Sequence, residues 1–246
     1  MAPSAWRCKK YTLLPNLYAL FVSPFAPIRR DIVCASMGYE VRFEVDGWEI
    51  FFADLAVDGE VGDSTAARSR AASRVRSSLQ LDGLSSHAPI AALRRLFKEA
   101  GTDPSRYRPA SEALLRRILK GEEIPAIHPL VDANNCLSAA LAVPCCVMAE
   151  GTFEPPFVFR AGRAGESYQS LRGPFNLEGK PLLVDGRGPL DAPITGSERV
   201  MVKEDTRRAA LVAYLPRGVV ATESTRKSLA EVLKDLPAVR EVREVS

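Results

Sequence analysis

Residues 108–144 read RPASEALLRRILKGEEIPAIHPLVDANNCLSAALAVP, and this stretch decides how the middle of the chain folds. Its first part predicts a helix capped by Ser111, with basic residues in the last turn and Gly121 just beyond the end. Prolines on both sides of His128 then predict an extended link. Asp132 is placed to cap a second helix, which Pro144 ends.

Two adjacent amides, Asn134 and Asn135, fall in the first turn of that second helix. An asparagine side chain offers two donors and two acceptor lone pairs without a charge, which suits recognition of an ester, an amino group or a ribose hydroxyl. The same side chains can instead satisfy neighbouring backbone groups. The amides are therefore either part of a binding pocket or local structural residues.

The residues that precede this stretch begin with a segment of different character. Lys9 and Lys10 stand ahead of an apolar run that prolines interrupt and that is too short to span a bilayer. We interpret residues 1–36 as an N-terminal extension outside the fold, contributed either by an upstream start codon or by a secretory signal. An alternating pattern that starts at Met37 predicts two strands, so we place the main domain at residues 37–220.

Residues 63–80 predict a helix that is rich in serine, alanine and arginine. Its arginines point to nearly every side, which fits either contacts with RNA phosphates or a solvated helical face without aromatic stacking partners. Residues 86–101 predict the next helix, with Ile90, Leu93 and Phe97 directed inward. The RNA-binding candidates are Arg68, Arg70, Arg74 and Arg76.

Beyond Pro144 the pattern changes from helical to extended, with turns of glycine and proline between short apolar runs. Strands before, after and around three helices predict an α+β fold, a single domain with a curled mixed β-sheet and several packed helices. Residues 221–246 predict a helix capped by Thr222 and a charged tail. The predicted strands are residues 145–148, 157–160, 181–185, 200–203 and 209–215.

Composition limits the function classes. A hydrophobic content of 46% with 26% charged residues is typical of a soluble globular protein, and a formal charge of +3 gives no general affinity for nucleic acid. Five cysteines without a C-x-x-C pair, and only two histidines, predict neither a metal site nor a disulfide. We expect reduced thiols in the cytoplasm, no cofactor and no membrane association.

The region from about Ile90 to Pro216 resembles the B3/B4 domain, the editing domain of the bacterial phenylalanyl-tRNA synthetase β subunit, and more closely the free-standing proteins built from that domain alone. The family pattern D-x-x-N-x-x-S is matched by Asp132, Asn135 and Ser138. Later positions of the family pattern are matched by Phe159, Arg160, Ala161, Gly165, Glu166, Tyr168, Val184, Asp185, Gly196, Ser197, Val202 and Thr206.

The resemblance implies hydrolysis, in trans, of an amino acid wrongly esterified to tRNA, by an aminoacyl-tRNA deacylase rather than a tRNA ligase. The expected partner is aminoacyl-tRNA or tRNA, and no ATP is expected because nothing resembles a synthetase core. Attack of water on an activated ester needs a pocket that positions the water and polarises the carbonyl, without a protein nucleophile. The rival hypotheses are a non-catalytic module that binds an amino acid or RNA, and an interaction scaffold.

Carried onto this sequence, the resemblance implies Asn135 and His128 as the catalytic candidates, although His128 also fits a structural residue. The synthetase has a Thr-Asn pair where this chain has two asparagines, a pocket histidine at the place of Cys146 and a glutamate near Val212. Selectivity for tyrosine therefore does not carry over. The substrate-binding candidates are Asn134, Cys146, Arg160, Glu166, Thr195, Gly196 and Ser197.

Two of these residues, and also Asp185, have a second interpretation. Cys146 fits a small pocket wall as well as a nucleophile. Arg160 either binds the substrate or pairs with Glu166, and Asp185 shapes a turn or joins the site. The proposal of one site requires that the paired amides and residues 195–197 line a common cavity.

Overall fold

The computed structural model describes residues 31–33, 39–59 and 62–242, and of residues 31–33 only the backbone. The predicted α+β class is confirmed. The helices are α1 (Thr65–Ser78), α2 (Ala88–Glu99), α3 (Ala110–Leu119), α4 (Pro129–Leu141) and α5 (Thr222–Lys234). The strands are β1 (Asp31–Val33), β2 (Glu40–Phe43), β3 (Trp48–Val57), β4 (Cys145–Ala149), β5 (Phe157–Ala161), β6 (Ser167–Ser170), β7 (Gly173–Asn176), β8 (Pro181–Asp185), β9 (Gly188–Ala192), β10 (Thr195–Gly196), β11 (Arg208–Pro216) and β12 (Val239–Val242).

The strands are distributed over two large sheets and one hairpin. One sheet has the order β12-β3-β11-β4, the other has the order β1-β2-β5-β8-β9-β10, and β6 pairs with β7. The second sheet is mixed because β2 and β5 run parallel. Strand β1 belongs to the predicted N-terminal extension and pairs with β2, whereas residues 1–30 and 34–38 of that extension lie outside the described residues.

The four-stranded sheet is buried on both faces, and alternate side chains of β3 and β11 enter two different cores. Phe51 and Leu211 face the helical core, which α1, α3, α4 and α5 share. Phe52 and Val212 face the core between the two sheets. There the ring of Phe52 stacks on Phe157 with 5.4 Å between centroids, so aromatic packing joins the sheets.

Helix α4 is almost wholly buried on the helical side of the four-stranded sheet. It ends at Leu141, and Ala142 adopts a left-handed conformation, φ 58°, that turns the chain back into β4. The predicted inward residues of α2, Ile90, Leu93 and Phe97, are fully buried. No helix among the described residues combines the length and apolar character needed to cross a membrane.

The predicted cap at Asp132 is wrong, because α4 begins three residues earlier, at Pro129. His128 is the capping residue, and its Nδ1 accepts a hydrogen bond of 3.2 Å from the backbone N–H of Leu130. The Asp132 carboxylate instead accepts hydrogen bonds from the backbone N–H of Ile127 and from the hydroxyl of Ser64. The carboxylate that the sequence pattern assigned to capping is therefore used in a tertiary contact with Ser64, the residue before α1.

The predicted caps at Ser111 and Thr222 are also wrong. Helix α3 follows Pro109, and Ser111 is buried inside its first turn. Helix α5 follows Ala221, and the hydroxyl of Thr222 donates to the carboxylate of Glu49 on β3. In both helices the hydroxyl residue lies inside the first turn rather than at the position before it.

The predicted strand at residues 200–203 is wrong. Glu198–Val200 form a 3₁₀ turn, and the residues that follow are irregular. Val200 packs in the core between the sheets, whereas Val202 packs against the helical core. The 3₁₀ turn contacts β4, which is an edge strand of its sheet. The two valines of this segment thus pack into two different cores, and the segment pairs with no strand of the described chain.

Candidate active site beside Asp191

A buried carboxyl group, Asp191, lies at the end of β9 in the core between the two sheets. The side chain is 1% exposed. Its Oδ2 accepts a hydrogen bond of 2.6 Å from the hydroxyl of Tyr214 on β11. Its Oδ1 is buried and has no hydrogen-bond partner within the part of the chain that the structure describes. An unpaired buried carboxylate oxygen is costly, and its presence points to a ligand or a functional role.

Burial raises the pKa of Asp191 to about 7, and the hydrogen bond from Tyr214 opposes that rise only in part. The Cys146 thiol and the Ala192 backbone N–H also lower the pKa of the carboxyl group, although neither has the geometry of a hydrogen bond to Oδ1. A carboxyl group with this pKa can accept or release a proton near neutrality.

The segment Thr195–Ser197 is held next to Asp191 by the pairing of β9 with β10, in which Gly196 lies directly opposite Asp191. A methyl group at Gly196 would lie 3.8 Å from Asp191 Oδ1 and 3.7 Å from Leu171 Cδ1. The hairpin β6–β7 fixes this segment from outside, because the Tyr168 hydroxyl donates to the Thr195 carbonyl at 2.6 Å. Residues 195–197 are therefore fixed beside Asp191.

Cys146 joins this group from β4. Its cross-strand neighbour on β11 is Val212, and both face the core between the sheets. These are the two positions where the resemblance implies a histidine and a glutamate in the synthetase. Burial and then the charge of Asp191 raise the pKa of the Cys146 thiol, so the thiol stays neutral and is no activated nucleophile. Asp191 is an acidic residue that lies next to this thiol.

The structure thus brings together four predicted substrate-binding residues, Cys146, Thr195, Gly196 and Ser197, around a residue that sequence reasoning missed. Cys146 and Thr195 are only partly buried, so the group lies near the surface. The hydroxyl of Ser197 is a further buried group without a hydrogen-bond partner among the described residues. The available sequence signal was an acidic residue inside the apolar stretch Pro189–Ala192.

The paired amides lie elsewhere, on α4 and hence on the helical side of the four-stranded sheet. The Asn134 amide donates to Asn135 Oδ1 at 3.2 Å, and Asn134 Oδ1 is buried without a hydrogen-bond partner in the described ranges. Asn135 is partly exposed. The four-stranded sheet lies between α4 and the core that contains Tyr214, the partner of Asp191, so the amides and Asp191 lie on opposite faces of that sheet.

His128 has a structural task. It is 7% exposed, and one ring nitrogen caps α4. Burial lowers the pKa of His128, so the ring is neutral near pH 7. Its Nε2 has no hydrogen-bond partner among the described residues, which leaves one nitrogen for a substrate contact.

Two other candidates form internal ion pairs. Arg160 donates to both oxygens of Glu166, at 2.8 and 2.6 Å, and this hydrogen bonding lowers the pKa of Glu166. Asp185 pairs with Arg199, and its oxygens also accept backbone N–H groups of Glu154 and Arg187. Each pair anchors a strand end, so neither arginine is a free anion-binding group.

The four arginines of α1 differ in their surroundings. Arg68 and Arg76 donate to backbone carbonyls of Ile124 and Ile118, in the α3–α4 region. Arg70 and Arg74 border a cavity of about 540 Å³ between α1, α4 and α5. That cavity has an apolar floor that includes Val75, and it contains none of the predicted catalytic or substrate-binding residues.

Among the described residues, no group of three or more histidine, cysteine or acidic side chains is placed to hold a metal ion. Cys136, Cys145 and Cys146 are free thiols. Cys8 and Cys34 lie outside the described residues.

Comparison with known proteins agrees with the resemblance inferred from the sequence. No curated protein matches the chain. A crystal structure of an N-terminal fragment of the phenylalanyl-tRNA synthetase β-subunit from Pyrococcus horikoshii is similar, with a TM-score of 0.38, 18% identity and coverage of 48% of this chain and 44% of that chain. This chain therefore spans less than half of that fragment. The family model of the B3/4 domain matches residues 92–232, more than half of the sequence, and the chain therefore belongs to the B3/4 domain family.

Proposed function

We propose that this B3/4 domain protein hydrolyses aminoacyl-tRNA in trans, as a deacylase that removes wrongly esterified amino acids. The observation that carries the proposal is the position of Asp191, a buried carboxyl group with one unpaired oxygen. It adjoins Cys146 and Gly196, two residues that were predicted to bind substrate from the family pattern alone.

Hydrolysis of an activated ester requires a positioned water molecule and a group that accepts its proton. Asp191 has a pKa of about 7, which is suited to proton transfer near neutral pH. Asn135 lies on the other face of the four-stranded sheet, where its uncharged donor and acceptor suit a ribose hydroxyl of the tRNA end rather than the ester beside Asp191. The neutral thiol of Cys146 then serves as a pocket wall and not as a nucleophile.

A deacylation panel tests this function. Purified protein is incubated with tRNAs that carry different labelled amino acids, and the rate of ester loss is compared with the rate in buffer. We expect acceleration for at least one pair, and a reduction of about 10²-fold or more in Asp191→Asn, because loss of a general base costs at least about that much. Glu150→Ala, which removes an exposed carboxylate at the far end of β4, is the matched control.

The rival function is a binding module without catalysis, and the neutral state of Cys146 and His128 is compatible with it. Such a module binds aminoacyl-tRNA and protects the ester or leaves its lifetime unchanged. Binding without any acceleration across the panel would contradict the hydrolase proposal and favour this alternative.

A further inference from the structure

A cavity of about 540 Å³ lies between α1, α4 and α5, on the face of the four-stranded sheet opposite to Asp191. The volume falls within the usual range for small-molecule sites, about 300–1,000 Å³. Its walls are made of short apolar side chains, such as Ala71 and Val75 on α1, Ala139 on α4 and Val232 on α5. These short side chains leave a space between the three helices that a small ligand can fill.

The walls offer few hydrogen-bonding groups to a ligand. Cys136 is buried there, and burial raises the pKa of its thiol to about 12, so the thiol is neutral. The Ser78 hydroxyl already donates to the Arg74 carbonyl at 2.7 Å. A nucleobase would therefore lose hydrogen bonds to water without replacing them, whereas a hydrocarbon chain has none to lose. Because no phenylalanine, tyrosine or tryptophan of the described chain lines the cavity, its walls suit an aliphatic chain.

The rim of the cavity is charged, with an excess of one positive charge. It carries Arg70, Arg74 and Lys227 together with the carboxylates of Glu231 and Asp235. Arg70 lies 3.1 Å from Asp235, and this ion pair ties α1 to the end of α5. The excess charge favours a ligand whose polar end is an anion rather than a cation.

Arg74 is the rim cation best placed to bind that anion. Its guanidinium forms no ion pair with a described residue, whereas Lys227 lies 3.5 Å from Glu223. Glu231, which is close enough for the charge of Arg74 to act on it, is already paired with Lys234 at 2.6 Å. An exposed guanidinium beside an apolar opening can bind a carboxylate through two parallel hydrogen bonds.

We propose that this cavity binds a medium-chain aliphatic carboxylate, with the hydrocarbon chain between α1, α4 and α5 and the carboxylate paired with Arg74 at the rim. The site shares no residue with the group around Asp191, so the proposal does not rest on the proposed function. Failure of one leaves the other in place. Because Arg74 is also an RNA-binding candidate, a bound carboxylate and an RNA phosphate would be alternative partners of its guanidinium.

Calorimetric titration of the full chain with hexanoate, octanoate and decanoate tests the apolar part of the site. We expect octanoate to bind about tenfold more tightly than hexanoate, because the longer chain buries more CH₂ groups, and the gain should end when the cavity is full. Absence of binding, or an affinity that does not rise from hexanoate to octanoate, would overturn the proposal.

Octanol and octylamine test the rim, since they carry the same chain with a neutral and a cationic end. Octanoate should bind at least about fivefold more tightly than octanol, and octylamine should bind most weakly. Arg74→Gln should remove the preference for octanoate over octanol, whereas Arg95→Gln, which changes an exposed arginine of α2, should keep it. A preference that persists in Arg74→Gln, or tighter binding of adenosine monophosphate than of octanoate, would overturn the assignment.

Ala71→Leu tests the position of the chain, because the larger side chain fills part of the cavity. It should weaken octanoate binding at least about tenfold. Ala91→Leu, at an exposed position of α2, is the matched control and should leave the affinity unchanged. Leucine and alanine are both favourable in helices, so both variants should keep the fold. Equal affinities of the two variants would show that octanoate binds outside the cavity and would contradict the proposal.

Discussion

Asp191 shows at the scale of one residue how burial and chemistry are linked. An aspartate side chain in water has an ordinary pKa of 3.8, whereas burial between the two sheets raises the pKa of Asp191 to about 7. The hydroxyl of Tyr214 stabilises one oxygen, and no described residue supplies a compensating positive charge. The carboxyl group of Asp191 is therefore only partly ionised near pH 7.

We predict that Asp191 reduces stability as the pH rises. Because its pKa is higher in the folded than in the unfolded chain, its stabilising contribution is present below pH 3.8 and is lost by about pH 7. Replacement by asparagine removes this dependence. The free energy of unfolding of Asp191→Asn relative to the wild type should therefore rise by roughly 4 kcal/mol from pH 4 to pH 8.

Urea unfolding at several pH values measures this difference directly. Subtracting the wild-type curve from that of the variant cancels the carboxyl groups that titrate in the opposite direction, such as Glu166. A difference that is the same at pH 4 and pH 8 would show that Asp191 titrates normally in the folded protein.

At the scale of one element, helix α1 carries two kinds of arginine: one that contacts other parts of the fold and one that is exposed. The guanidinium of Arg68 contacts Ser64, Asp132 and the Ile124 carbonyl, and thereby ties α1 to the start of α4. Arg74 is exposed beside the cavity between α1, α4 and α5. The first arginine is part of the tertiary structure, and the second is available to an anionic partner.

We predict that Arg68→Ala and Arg74→Ala have separate effects. Arg68→Ala should lower the free energy of unfolding by about 2 kcal/mol, because it leaves the buried Asp132 carboxylate without its counter-ion and the Ile124 carbonyl without its side-chain donor. Arg74→Ala should change it by less than about 0.5 kcal/mol and should instead weaken tRNA binding with a smaller salt dependence. Chemical denaturation and tRNA titrations at two salt concentrations measure both quantities.

Equal loss of stability in the two variants would contradict this division of α1. Unchanged tRNA affinity in Arg74→Ala, with its fold intact, would remove α1 from the RNA-binding surface and leave its arginines with structural roles only.

The helices were predictable from sequence because their apolar periodicity is local, as Leu93 and Phe97 of α2 show. Their caps were not, since Asp132 is used by Ser64, which lies 68 residues away. Residues 200–203 read as a strand because Val200, Met201 and Val202 form a short apolar run, yet the two valines enter different cores. Local patterns give no information about which distant surface covers a side chain.

The candidate site was predictable only in part for the same reason. Gly196 and Cys146 could be selected from the family pattern, although they are 50 residues apart in the sequence. In the structure each of them lies beside Asp191, a residue that no sequence motif indicates. The predicted common cavity placed the amides beside residues 195–197. In the structure, the four-stranded sheet lies between them, because α4 packs on its opposite face.

At the scale of the whole molecule, the four-stranded sheet separates two cores of the fold. The helical face buries α4 and carries the arginine helix, whereas the other face forms the aromatic core that encloses Asp191. A tRNA whose backbone contacts α1 would have to extend its acceptor end round the free edge of β4 to reach Gly196. The aminoacyl end and the tRNA body would thus bind on different faces of the four-stranded sheet.

The structure of the protein bound to a 3′-aminoacylamino-adenosine analogue tests this account most directly. We predict that the aminoacyl group lies beside Gly196, with its carbonyl group close to Asp191. The ribose should lie towards Asn135 at the edge of β4. An analogue bound in the cavity between α1, α4 and α5, away from Gly196, would contradict the account.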